Sequence, residues 1–150
     1  MGEKEGRNVP RRRFLVQLAA GTGLVAGGLS ACSAAATFQA RLVQGRIIVP
    51  QAELEELFRV DNVALVTAAG LPEALILIRM DEGSYRALGA RCTHLGCRVR
   101  PGKHSLRCPC HGAVFDLEGN VIRGPAKKPL SRYELEVKET TIEIVVSQNW

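Results

Sequence analysis

A chain of 150 residues, 46% hydrophobic and 23% charged, has room for one ordinary domain and excludes a multidomain enzyme. Aromatic residues at 5% offer no stacking platform for nucleic acid, and the apolar fraction excludes a disordered chain. The formal charge of +5 is unevenly placed: residues 1–13 hold five Lys or Arg against two Glu, and between Arg91 and Arg132 nine basic residues meet only Asp116 and Glu118. Five cysteines cannot all pair as disulfides, so at least one serves another purpose.

From Phe14 to Ala40 the sequence carries no charge and is rich in Gly and Ala. A basic start before an apolar run is an export pattern, and Arg11-Arg12-Arg13-Phe14-Leu15 resembles the twin-arginine signal. That resemblance implies export in the folded state to the outer face of the cytoplasmic membrane, often around a cofactor, so a metal centre is expected downstream. Leu29-Ser30-Ala31-Cys32 resembles a bacterial lipobox with Cys32 as the lipidated residue. The alternatives are an uncleaved membrane anchor, for which about 20 apolar residues suffice, and cleavage near Ala34-Ala35-Ala36. Residues 1–36 are therefore read as signal, 37–45 as a linker and 46–150 as the domain.

Runs of β-type residues between turn signals predict strands at Arg46–Val49, Asn62–Thr67, Ala74–Met80 and Tyr85–Leu88, with a short helix over Gln51–Phe58. Leu75-Ile76-Leu77-Ile78 is continuously apolar and predicts a strand buried on both faces. Tyr133, Leu135 and Val137, then Ile142, Ile144 and Val146, alternate with polar residues and predict a final antiparallel pair. The expected fold is all-β, a small antiparallel sandwich or barrel. Residues of about 90–126, poor in strand signals and rich in Cys, His, Gly and Pro, form an insertion that a hydrophobic core alone is not expected to order.

That insertion reads Cys92-Thr93-His94-Leu95-Gly96-Cys97, then ten residues, then Cys108-Pro109-Cys110-His111-Gly112. Two loops each present Cys and His at metal-ligand spacing. Two thiolates and two imidazoles suit tetrahedral zinc, and equally a two-iron cluster with the thiolates on one iron and the imidazoles on the other. Cys97 and Cys110 stand one in each loop, so a centre that joins the loops also brings these thiols near one another. His104 lies in a basic turn between the loops and is read as solvated.

Together, CTHLGC and CPCHG resemble the Rieske [2Fe-2S] proteins of quinol:cytochrome c oxidoreductases (cytochrome bc complexes), over roughly residues 46–146. The resemblance implies one [2Fe-2S] cluster with Cys92 and Cys108 on one iron, His94 and His111 on the other, and a Cys97–Cys110 disulfide. It makes Gly124-Pro125-Ala126 the start of a third loop over the cluster. It further implies one-electron transfer, with His111 meeting the quinol at a membrane cytochrome b-type partner and a cytochrome c or copper protein as acceptor. Within the same chemistry, a small Rieske subunit of a periplasmic molybdenum oxidase of the arsenite-oxidase kind is the alternative, and a structural zinc lipoprotein is the non-redox one.

High-potential members of that family carry Ser and Tyr where this sequence has Ala113 and Phe115. Without hydroxyl hydrogen bonds to cluster sulfur the added electron is less stabilised, and a potential in the lower or middle part of the ~ −150 to +300 mV Rieske range is expected. The basic residues around the loops are read either as a solvated face or as a docking surface for an acidic partner.

Overall fold

The computed structural model describes residues 35–59, 61–81 and 83–146. The signal, Cys32 and any N-terminal anchor helix lie outside the described residues. Among the described residues no helix is long and apolar enough to cross a membrane.

The chain runs β1 (Ala36–Val43), β2 (Arg46–Pro50), α1 (Gln51–Leu57), β3 (Val63–Ala68), β4 (Leu75–Arg79) and β5 (Tyr85–Gly89). It continues through β6 (Arg100–Pro101), β7 (Leu106–Arg107), β8 (Val114–Phe115) and β9 (Val121–Arg123), then β10 (Arg132–Tyr133), β11 (Leu135–Val137) and β12 (Thr141–Val145). The large sheet has the order β10-β5-β4-β3-β1-β2-β12-β11, and β6 to β9 form a second sheet in sequence order. The two edge strands of the large sheet, β10 and β11, flank the single residue Glu134. One extended run of chain thus joins both edges and curls the sheet into a barrel, which removes exposed edges.

Residues 37–45 are not a linker. Strand β1 lies inside the sheet, antiparallel to β2 and parallel to β3, so the otherwise antiparallel barrel contains one parallel pair. Its inward positions are Phe38, Ala40 and Leu42, alternating with exposed Thr37, Gln39 and Arg41. The small alanine masks a period of two that is real. The turn to β2 is equally hard to read: Gln44 and Gly45 both take positive φ, 48° and 74°, as a two-residue turn of the primed type requires. Glutamine is not a usual signal for that geometry.

The continuous apolar run of β4 has a simple cause. Leu75 and Leu77 point into the barrel with Ile47, Val49, Val66 and Ile144, whereas Ile76 and Ile78 point outward into a second core with Leu88, Val99, Leu106 and Phe115. All four residues are 0% exposed. The insertion therefore has short strands, which its sequence does not signal, and packs into a core that it shares with the barrel, alongside the Cys97–Cys110 disulfide. Its strands have two or three residues each, too short to register as periodic, and they are supported by the outer face of β4 and β5.

Candidate metal centre

The two Cys–His loops have the same backbone. In the first, the Cys92 amide donates to the Cys97 carbonyl (2.8 Å) and the Gly96 amide to the Cys92 carbonyl (2.8 Å). In the second, Cys108 donates to Ala113 (2.8 Å) and Gly112 to Cys108 (3.1 Å). Each loop is thus closed between its cysteine and the fifth residue on, and each places glycine fourth, with φ of 77° at Gly96 and 73° at Gly112. A β-carbon at either position is strained by that φ; at Gly96 it also meets Arg91 Nε at 3.1 Å. The side chains are staggered on this common frame: histidine comes two residues after Cys92 but three after Cys108.

The frames bring the sequence-selected residues together. Cys92 and Cys108, 2% and 3% exposed, both lie in the second core. The His94 and His111 rings meet edge to face, centroids 4.9 Å apart, with His94 half-buried and His111 exposed. Cys97 and Cys110 are joined as a disulfide, and their sulfurs lie within 4.8 Å of that of Cys108. Because those two sulfurs are bonded to each other, the thiols left to ligate among the described residues are Cys92 and Cys108. His104 is exposed on another face, beside Asp61, Arg79 and Lys103.

Two observations fit a metal centre here. His94 Nδ1 is buried and has no hydrogen-bond partner, a costly state that a bound metal relieves. Burial pushes the Cys92 thiol up; the His94 amide draws it down and neighbouring Cys108 adds to the rise. A buried thiol so placed resists ionising on its own, and a bound cation inverts that preference.

Surrounding groups fix the loops. The Glu73 carboxylate accepts the Arg91 amide (2.8 Å), one residue before Cys92, and the Tyr133 hydroxyl (2.9 Å). Gly89 lies against it, and a β-carbon there would fall 2.7 Å from Glu73 Oε1 and displace the carboxylate. The Thr93 hydroxyl donates to the Lys128 carbonyl (2.6 Å), tying the first loop to the segment after Gly124-Pro125, where Ala126 is buried in the same core as both thiols. Ala113 and Phe115 are 0% exposed and offer no hydroxyl. Glu73 and Thr93 were not singled out by sequence, because a single Glu or Thr carries no motif.

Comparison with known proteins agrees with this geometry. Residues 49–134 match the Rieske [2Fe-2S] domain model. The chain is 28% identical over 155 aligned positions to the cytochrome b6-f complex iron-sulfur subunit of Chlorobaculum tepidum, covering 95% of this chain and 79% of that one. It is 33% identical over 107 positions to the cytochrome b6-f complex iron-sulfur subunit 2 of Nostoc sp. PCC 7120, covering 69% of this chain and 60% of that one. The crystal structure of the plasma membrane Rieske protein of the cyanobacterium Synechocystis PCC 6803 superposes with a TM-score of 0.53 at 28% identity, over 63% of this chain and 93% of that one. A family match over more than half the sequence sets the zinc alternative aside, and the chain belongs to the Rieske [2Fe-2S] domain family, whose cofactor is one [2Fe-2S] cluster.

Proposed function

We propose that the protein is the iron-sulfur subunit of a quinol-oxidising complex, tethered at the outer face of the cytoplasmic membrane and exported folded. It takes electrons from quinol at a cytochrome b-type partner and delivers them to a cytochrome c or copper protein. The observation that carries this reading is the split donor set, two buried thiols and two adjoining imidazoles of which His94 is half-buried and His111 exposed, together with relatives that are subunits of cytochrome b6-f complexes.

When bound, a [2Fe-2S] cluster supplies reversible one-electron chemistry. Cys92 and Cys108 would hold one iron on the dry side of the site and His94 and His111 the other. The Cys97–Cys110 disulfide holds the two loops together. Leu95, 69% exposed beside His94, and exposed His111 form the tip that a membrane partner meets, and His111 is the group placed to accept a hydrogen bond from a quinol hydroxyl.

Purification of the full chain from native membranes tests the assignment. Co-purification with cytochrome b supports it, and co-purification with a molybdenum-containing subunit would overturn it. Cys108→Ser and His111→Ala are expected to abolish or strongly alter the electron paramagnetic resonance signal of the reduced protein. An unaltered signal from His111→Ala would refute the ligand set.

A further inference from the structure

The second sheet lines up three arginines. Across its four strands Arg100 is opposite Arg107, Arg107 is opposite Val114, and Val114 is opposite Arg123. One row of the sheet therefore carries three guanidinium groups on one face, all exposed, with Val114 at 7% exposure between them. They line a groove of about 400 Å³ whose floor includes Cys108 and Pro109.

Like charges directly opposite on neighbouring strands repel, and among the described residues no carboxylate lies within salt-bridge distance of any of the three. The two acidic residues of this region are engaged elsewhere. Asp116 accepts the Glu118 and Asn120 amides in its own turn, and Glu118 faces Arg86. The row is thus a charge arrangement whose complement must come from another molecule. Its position bears on the cluster loops, because Arg123 donates through Nε and Nη2 to the Gly112 carbonyl (3.4 and 3.3 Å), the residue after His111.

We propose that this arginine row is the docking surface for an acidic redox protein, the acceptor in the reaction above, on whose one-electron character the proposal rests. The length of the row selects the occupant. Three strand spacings of about 4.8 Å separate Arg100 from Arg123, roughly 14 Å in all, more than one phosphate or carboxylate spans. Several carboxylates fixed on a protein surface match it, and such a partner comes to rest against Cys108 and Pro109. Complementary charge of this kind chiefly accelerates encounter and is screened by salt.

The test is stopped-flow oxidation of the reduced, cluster-loaded full chain by two purified c-type cytochromes, one of negative and one of positive net charge. With the acidic cytochrome the rate should fall at least tenfold in Arg100→Gln/Arg107→Gln and lose most of its salt dependence, while the basic cytochrome should show no such loss. An unchanged rate and salt slope overturns the proposal. So does saturable competition by millimolar inorganic phosphate, which would assign the groove to a free anion, or arginine-dependent binding to phosphatidylglycerol vesicles with electron transfer unaffected. Oxidation by uncharged benzoquinone is measured in parallel. A loss there in the variant places the effect on the cluster and overturns docking, whereas failure of the unsubstituted protein to react with either oxidant type overturns the electron-carrier reading itself.

Discussion

The Thr93 hydroxyl donates to the Lys128 carbonyl at 2.6 Å across 35 residues of sequence. It is a side-chain tie between the first ligand loop and the segment that covers it. The bond lies at the solvent-exposed surface, so its net worth is that of an ordinary hydrogen bond, about 0.5–1.5 kcal/mol. Thr93→Val keeps the shape and removes the donor. Its expected effect is a stability loss in that range together with faster amide hydrogen exchange in the segment following Pro125. Unchanged exchange there would show that the segment is held by Ala126 packing alone.

The disulfide permits a second separation of roles. Cys97 and Cys110 close a loop of 13 residues, a cross-link that by chain entropy stabilises by about 3 kcal/mol. Neither sulfur is a ligand in the donor set above. Cys97→Ser with Cys110→Ser should lower the denaturant midpoint accordingly yet still assemble a cluster with a Rieske-type spectrum. A double variant that folds but holds no cluster would contradict the assignment.

Most of the barrel was legible in the sequence because its strands are long enough to show their period: β2 to β5, β12 and the helix stand close to where apolar spacing puts them. What escaped was shorter or disguised. In β1, Ala36 and Ala40 are too small to mark an inner face, so a central strand reads as a linker. The strands of the second sheet have two or three residues each, too few to show a period, and they rest on the outward residues Ile76, Ile78 and Leu88, which lie far from them in sequence. The site divides along the same line. The ligand cysteines and histidines stand out because chemistry concentrates rare residue types in short motifs. Glu73 and the arginine row act through cross-strand register, which only folding creates.

Tyr133 gives a pH prediction. Burial first, and then its hydrogen bond to Glu73, push its hydroxyl well above the ordinary value of 10.0. A group whose folded value is raised contributes stability that is fully present below the unfolded value and is lost as pH rises through the folded one. The stability advantage of the unsubstituted protein over Tyr133→Phe should therefore be constant from pH 7 to about 10 and shrink above it. A difference that stays flat to pH 11 would show that the hydroxyl contributes nothing through its proton.

Glu143 predicts the opposite limb. Its carboxylate accepts Lys138 Nζ at 2.6 Å and lies 3.2 Å from Arg46 Nη1, and these cations, Lys138 foremost, hold it below the ordinary 4.5. A depressed group stabilises above the unfolded value and loses that contribution as pH falls through the folded one. Glu143→Gln should lower the melting temperature at pH 7, and the difference from the unsubstituted protein should fade below about pH 4 and in molar salt. A gap equally wide in 1 M salt would assign the effect to packing.

The last prediction concerns the potential. Ala113 and Phe115 are wholly buried in the second core beside Cys108, at the positions where high-potential relatives, by resemblance, carry hydroxyls. Hydrogen bonds to cluster sulfur favour the reduced state. Ala113→Ser and Phe115→Tyr, singly and together, should raise the midpoint by on the order of tens of millivolts within the Rieske range of ~ −150 to +300 mV. Each also introduces a polar atom into a site 0% exposed, and a hydroxyl that finds no sulfur to bond would cost about 1–3 kcal/mol. Potential and stability must then move together: a variant that gains potential keeps its stability, because its hydroxyl is satisfied. One that loses stability with no change in potential would show that the second loop does not aim these positions at the cluster.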